Sequence, residues 1–319
     1  MNDNIIPIFF TIDDEYAKFA CTAITSIIDN ASKEYKYKIN IVHRGLSDEN
    51  MTKLSNLSNE NFDIEFKKMK DEIEKITERD ENTYARFDYF ALSIYFRIFI
   101  ADMFPQYKKG LYLDSDIIVL GDISKLYNTD IQENIIGACV DMSIQDVPEF
   151  LNYVENAVGI DRAKYVNSGV LLMNLEKMRE EKFSSKFMEL MSTYYFETVA
   201  PDQDYINAMC CEKILFLNQE WDVMPMNKNE EYKDPKLIHY NLFKKPWCYD
   251  NIQYERYFWE YAKKTEYSNQ IYDYKKNYSD ERKERDKHSL ERLLKKAISI
   301  PNNDITFKGV YENGEDIRL

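Results

Sequence analysis

Strand-like and helix-like segments alternate from the start of this chain, and that alternation restricts the fold more than any other feature. Ile5 to Thr11 is a short apolar run, and Ala20 to Ile28 carries apolar residues at helical spacing. Ile39 to His43 is apolar again, Ser47 opens a second helical segment as its N-cap, and Asn61 to Phe66 reads as a third strand. Strand, helix, strand, helix, strand in this order predicts a parallel sheet with helices on its faces. The chain has 319 residues, 44% of them hydrophobic, enough for one large or two modest domains with a real core.

The next apolar run breaks its own pattern. Leu111-Tyr112-Leu113 is followed by Asp114-Ser115-Asp116 and then by Ile117-Ile118-Val119-Leu120. Residues two apart in an extended chain share a face, so both carboxylates point to one place. Two acids at the end of a buried strand need a counter-charge. A hard divalent cation such as magnesium or manganese supplies it, because such ions take oxygen ligands and keep substrate phosphates in their shell.

Charge narrows the partners. The net charge is −14, with the acidic excess lying before residue 248. That argues against nucleic acid held on an extended basic face. It is compatible with a phosphate-bearing substrate whose metal supplies the positive charge. Cys21, Cys139, Cys210, Cys211 and Cys248 show no paired spacing and read mostly as small core hydrophobes, which suits a reducing, cytoplasmic compartment. Met1 to Asn4 has no basic residue ahead of the first apolar run, so a secretory signal is not expected, and no apolar run reaches the roughly 20 residues that span a bilayer.

Further along, Asp71 to Asn82 reads as a charged connector and Tyr84 to Met103 as a long helix closed by Pro105. Arg97 lies inside that apolar stretch and needs either a ligand anion or an internal acid. Ile135 to Asp141 and Val166 to Asn174 predict strands, and Glu176 to Phe196 a helix. Pro201-Asp202-Gln203-Asp204 begins another helix, with Asp202 either reaching a ligand or capping it. Short strands follow at Ile214 to Leu217 and Leu237 to Tyr240, separated by a loop over Trp221 to Tyr232. His239, taken alone, reads as a core residue more readily than as a ligand. Residues 281–296 are rich in basic side chains with Leu290, Leu293 and Leu294 as the apolar part. They predict a membrane-surface helix, a helix packed back on the domain, or an oligomer contact. Ile305-Thr306-Phe307 reads as a terminal strand.

The residues at strand ends and helix starts form a pattern. In order they are Phe10-Thr11-Ile12-Asp13-Asp14-Glu15-Tyr16, Tyr95-Phe96-Arg97-Ile98, Leu113-Asp114-Ser115-Asp116, Asn167-Ser168-Gly169-Val170, Asp202-Gln203-Asp204, and His239-Tyr240 through Lys245-Pro246-Trp247. Across residues 5–247 this resembles the retaining glycosyltransferases of family 8, which include bacterial lipopolysaccharide galactosyl- and glucosyltransferases and, more distantly, glycogenin.

The resemblance implies an α/β fold of the GT-A, Rossmann-like type: a single nucleotide-sugar-binding domain with a mixed sheet flanked by helices over residues 1–247. A mostly helical extension, 248–319, is expected beyond it. The resemblance also implies manganese or magnesium held by Asp114, Asp116 and His239 against the diphosphate of a UDP-sugar, with Ser115 between the two acids. Tyr16 would stack on the uracil, and Thr11 and Asp13 would reach the base or ribose. Lys245 would meet the diphosphate, and Arg97, Asn167, Asp202, Gln203 and Asp204 would surround the transferred sugar. Asp141 is expected toward the sugar or the acceptor, and Gln203, Asp204 and Asp141 are the catalytic candidates.

The implied reaction moves a hexose, galactose or glucose, to a hydroxyl of a glycan or glycolipid with retention. Two routes keep the configuration, a glycosyl-enzyme intermediate or attack by the acceptor hydroxyl from the face the diphosphate leaves, and the second is favoured because a carboxamide at Gln203 is a poor nucleophile. The implied setting is the cytoplasmic face of a membrane, touched peripherally by the C-terminal segment. A non-catalytic sugar-nucleotide binder and a transferase acting on a glycoprotein are the alternatives. The chain departs from the family at Leu242, where relatives carry glycine two residues after the His-Tyr pair.

Overall fold

The computed structural model describes residues 4–68, 92–226 and 230–319. In chain order its strands are β1 (Ile5–Ile12), β2 (Lys36–His43), β3 (Phe62–Lys68), β4 (Gly110–Leu113), β5 (Ile117–Val119), β6 (Ile136–Ala138), β7 (Val170–Met173), β8 (Ile214–Phe216) and β9 (Leu237–His239). The chain divides into two compact units, Met1–Ile100 with Gly110–Thr129 and Glu220–Tyr278, and Ala101–Lys109 with Asp130–Gln219 and Ser279–Leu319. The stretch read above as one C-terminal extension is thus shared: 248–278 groups with the first unit and 279–319 with the second.

In the first unit the strands run β3-β2-β1-β4, all parallel where paired. β1 is buried from Ile6 onward, so both its faces are covered, as the unbroken apolar run requires. β4 joins it from Ile8 on, beyond Pro7, which has no N–H to offer a neighbour. Gly110 opens β4 because a Cβ there would come within 2.5 Å of the Phe9 ring.

The helix Ala17–Asn30 buries Phe19 against Trp247, with ring centroids 4.1 Å apart. Truncating such a fully buried aromatic costs about 3–5 kcal/mol. The helix Asp48–Ser55 begins at Ser47, whose hydroxyl accepts from the N–H of Asn50 as expected of an N-cap. β5 and β9 form an antiparallel ribbon in which Ile117 faces His239. That ribbon brings the end of the acid pair to the histidine.

In the second unit the order is β7-β6-β8, with β6 antiparallel to β7 and parallel to β8. The sheet is therefore mixed. The helix Asp280–Ser299, capped by Ser279, packs on the helix Pro148–Tyr153. Among the described residues no helix is long and apolar enough to cross a membrane.

Several sequence expectations are corrected. The described part of Tyr84–Met103 is a 3-10 run, Leu92–Phe99, followed by one α-turn, Ile100–Met103. The rest of that segment, the connector Asp71–Asn82 included, lies outside the described residues. Glu176–Phe196 is two helices, Leu175–Glu180 and Phe183–Tyr194, interrupted where Lys182 adopts φ 52°. Ile305–Phe307 is no strand: Thr306 caps a short helix, Phe307–Glu312, by accepting from the N–H of Gly309. Three apolar-looking residues are too few to carry a period, and the threonine decides the matter by its capping hydroxyl.

Candidate functional site

The first unit gathers Asp114, Asp116 and His239. Their candidate ligand atoms all lie within 4.8 Å of one another, although His239 is far away in the chain. The ribbon explains this. Asp114 and Asp116 occupy the link between β4 and β5, and His239 ends β9 opposite the first residue of β5.

Each carboxylate is anchored by one oxygen. Asp114 Oδ1 accepts from Tyr112 Oη at 2.7 Å and from the Arg97 guanidinium at 2.9 Å. Asp116 Oδ2 accepts from the Lys245 ammonium, which also donates to the Tyr240 carbonyl at 2.8 Å. The other oxygens face the histidine: Asp116 Oδ1 lies 3.3 Å and Asp114 Oδ2 3.9 Å from His239 Nε2.

The donor set fits a divalent cation. His239 Nε2 is buried and makes no hydrogen bond among the described residues. A polar nitrogen in that condition, aimed at two carboxylate oxygens, is costly unless something else binds it. Two hard oxygens with one imidazole nitrogen suit manganese or magnesium better than a soft-ligand metal.

Charge in this cluster is tightly coupled. Burial alone pushes the Asp116 carboxyl up, yet Lys245 and His239 outweigh it and hold the group well below the usual carboxylate range. Burial favours a neutral His239, but Asp116 and Asp222 override it and raise the ring well above its ordinary value.

Arg97 finds the internal acid its burial demands, and that acid is Asp114. Its guanidinium also lies over the Tyr112 ring, 4.3 Å from the centroid. Thr11, expected at the base or ribose, uses its hydroxyl on Tyr112 Oη at 2.8 Å and so belongs to the chain of contacts that orients Asp114. Asp13 is half-buried and accepts from the N–H of Tyr16 at 2.9 Å. Burial raises the Asp13 carboxyl, and that hydrogen bond partly offsets the rise. Tyr16 meets Phe19 edge-on at 5.5 Å. Ser115 is buried between the two acids.

At Leu242 the backbone has φ 59°, the left-handed conformation that glycine adopts without cost. The departure from the family is therefore a change of side chain on a glycine-like backbone.

The second unit holds Asp141, Asn167, Asp202 and Gln203 in another cluster. Asp141 caps the short turn Met142–Ile144 by accepting from the N–H of Ser143, and its Oδ2 accepts from Gln203 Nε2 at 2.8 Å and Asn167 Nδ2 at 3.2 Å. Gln203 Oε1 accepts from the N–H of Ser168 at 3.0 Å, so its amide is oriented at both ends. Asp202 accepts from Ser168 Oγ at 3.2 Å.

Asp204 has a different environment from the one expected of a residue facing the sugar. It is completely buried, and its oxygens accept from Tyr165 Oη at 2.6 Å, Tyr153 Oη at 2.7 Å and the N–H groups of Val199 and Ala200. The helix Pro201–Cys210 has Ala200 at its N-cap with no side-chain cap, and Asp204 instead ties down the backbone just ahead of it. Burial pushes its carboxyl up to about 6 against the pull of those donors. This geometry makes Asp204 a tether rather than a nucleophile.

Two contributors escaped the sequence reading. Asn207 clamps the segment leading into β7, accepting from the Val166 N–H and donating to the Val166 and Gln203 carbonyls. Asp222 contacts His239 Nδ1 at 3.0 Å. Its signal was present, an acid inside the apolar Trp221-Asp222-Val223-Met224, the same anomaly that marks Asp114 and Asp116.

The model of the family described as glycosyl transferase family 8 matches residues 7–251. A Haemophilus influenzae protein carrying a provisional glycosyltransferase name is 28% identical over 223 residues, 70% of this chain and 64% of that protein. A lipopolysaccharide 1,2-glucosyltransferase of Escherichia coli is 25% identical over 252 residues, 74% of this chain and 71% of its own. Among solved structures, the galactosyltransferase LgtC in complex with donor and acceptor sugar analogues superposes with a TM-score of 0.68 at 22% identity, covering 82% of this chain and 96% of that one. The fold is thus the GT-A fold with its mixed sheet and flanking helices.

Proposed function

Since this chain belongs to glycosyl transferase family 8, we propose that it transfers a hexose from a UDP-sugar to a hydroxyl of a glycan or glycolipid, with retention of configuration and a divalent metal. The observation that carries the reading is the convergence of Asp114, Asp116 and the buried Nε2 of His239. The Escherichia coli relative, named for lipopolysaccharide 1,2-glucosyl transfer, supports a glycan or glycolipid acceptor.

In this reading Asp114, Asp116 and His239 hold manganese or magnesium. The bound cation would neutralise the donor diphosphate and the charge that grows on UDP as it leaves. Lys245 adds a second positive charge at that end, and being buried it acts in a low dielectric. Tyr16 stacks on the uracil and Asp13 reaches the ribose. Asp141, Asn167, Asp202 and Gln203 take the sugar hydroxyls. The Asp141 carboxylate, held by neutral amides, favours positive charge developing at the anomeric carbon. With Asp204 tied to two tyrosines, attack by the acceptor hydroxyl on the departing group's face is the route assigned, a donor phosphate oxygen taking the proton. Peripheral contact with an anionic membrane is assigned to Asp280–Ser299, on which Arg285, Lys295 and Ile298 are exposed.

The test is a panel of UDP-sugars with manganese, read by UDP release and by NMR of the anomeric proton, for wild type and Asp116→Asn. Turnover of one hexose donor with a retained α-anomer, lost in Asp116→Asn, is expected. Folded wild type that turns over no UDP-sugar, with water or with glycan acceptors, would end this reading.

A further inference from the structure

We propose that Asp222 is a positioning residue for the metal: its carboxylate fixes the tautomer and the plane of the His239 ring so that Nε2 presents its lone pair to the cation. The inference rests on the metal reading above and adds a residue to it. Asp222 and His239 are both buried, and Asp222 Oδ1 lies 3.0 Å from His239 Nδ1. The opposite nitrogen of the same ring faces Asp116 Oδ1 and Asp114 Oδ2. The ring is therefore bracketed, one carboxylate behind it and two ahead.

The backbone makes this bracket rigid. The N–H of Val223 donates to the Leu237 carbonyl at 3.0 Å, and the N–H of His239 donates to the Val223 carbonyl at 2.9 Å. Val223 thereby extends β9 with a parallel bridge to Ile238. These bonds hold the backbones of Asp222 and His239 side by side.

A histidine that ligates a cation is neutral and carries one proton, on its other nitrogen. A carboxylate at Nδ1 accepts only, so the proton stays on Nδ1 and Nε2 is left as the donor atom. A burden of negative charge behind the ring also strengthens Nε2 as a ligand. A merely space-filling role would not require an acid here, since a buried carboxylate is costly to desolvate.

The experiment titrates Mn2+ into metal-stripped protein at constant UDP, with bound ion followed by electron paramagnetic resonance, for wild type, Asp222→Asn and Asp116→Asn. Asp222→Asn keeps the shape and removes the charge. We expect its melting temperature without metal to match wild type within a few degrees and its Mn2+ affinity to fall about 10- to 100-fold. Asp116→Asn is expected to lose the site. A folded Asp222→Asn that binds Mn2+ as tightly as wild type overturns the role of Asp222 alone. Folded wild type that binds no Mn2+ overturns the metal reading, and Asp222 with it. A second measurement needs no variant: nitrogen-15 NMR of wild type loaded with Mg2+ and UDP should show His239 protonated at Nδ1 and bare at Nε2. The opposite tautomer overturns the proposal even if Asp222→Asn fails to fold.

Discussion

Lys245 pairs directly with Asp116, ammonium to carboxylate, across 129 residues of chain. Both side chains are largely buried. Removing one partner of a buried pair strands the other charge, which costs about 3–5 kcal/mol. Lys245→Met should therefore destabilise metal-stripped protein by about that amount in denaturant unfolding. Added Mn2+ should restore much of the loss, because a cation again faces Asp116, and a chelator should remove the gain. A Lys245→Met protein as stable as wild type, or indifferent to Mn2+, would contradict this account of the pair.

Leu242 offers a test in the opposite direction. Its φ of 59° places an L side chain where it is strained by about 1–2 kcal/mol. Glycine relieves that strain but is freer in the unfolded chain, which returns roughly 0.5–1 kcal/mol. Leu242→Gly should leave stability equal or raise it by up to about 1 kcal/mol. A β-branched valine in the same place should lower it. A strongly destabilised Leu242→Gly would mean that the leucine side chain, not the backbone, holds the turn.

Asp204 should leave a signature in pH. Its carboxyl titrates at about 6 in the folded protein, against 3.8 for an ordinary aspartate. The folded state thus binds the proton more tightly than the unfolded one. The associated stability is fully present below about pH 4 and is lost as pH rises through 6. The whole effect is on the order of 3 kcal/mol. Comparing wild type with Asp204→Asn by urea unfolding isolates it. Wild type should gain on the variant between pH 7.5 and 5. A difference that stays flat over that range would rule the assignment out.

Gln203 and Asp141 form the third coupled pair, amide nitrogen to carboxylate at 2.8 Å. Gln203→Glu sets two buried carboxylates against each other, so one must protonate or separate. The variant should lose about 2 kcal/mol in urea unfolding at neutral pH, from the cost of an uncompensated buried charge. Adding Asp141→Asn should cancel most of that loss in a double-mutant cycle. Additive losses would show that the two side chains do not share a proton or a charge.

How much of this was readable in advance depended on whether a signal was local. The parallel pairing of the first three strands followed from apolar runs separated by helical spacing, and Ser47 declared its cap one residue ahead of the helix. Asp114 and Asp116 announced themselves as charge inside an apolar run. The 3-10 run at Leu92–Phe99 did not, because over two or three turns the spacing of apolar residues does not separate a 3-10 helix from an α-helix. Asp204 stood in a polar cluster like its neighbours, and only the tyrosines folding onto it from Tyr153 and Tyr165 took it out of the reaction.

The sequence by itself determined the class of fold and marked Asp114 and Asp116 as a pair of charges inside an apolar run. These rest on residue type and short-range spacing, which the chain carries everywhere. Tertiary structure alone decided which groups serve one another. Pairing of β5 with β9 brought His239 to the acids, and the bridge of Val223 to Ile238 put Asp222 behind the ring. Register between distant strands is set by the packing of the whole core, so no local window of sequence contains it.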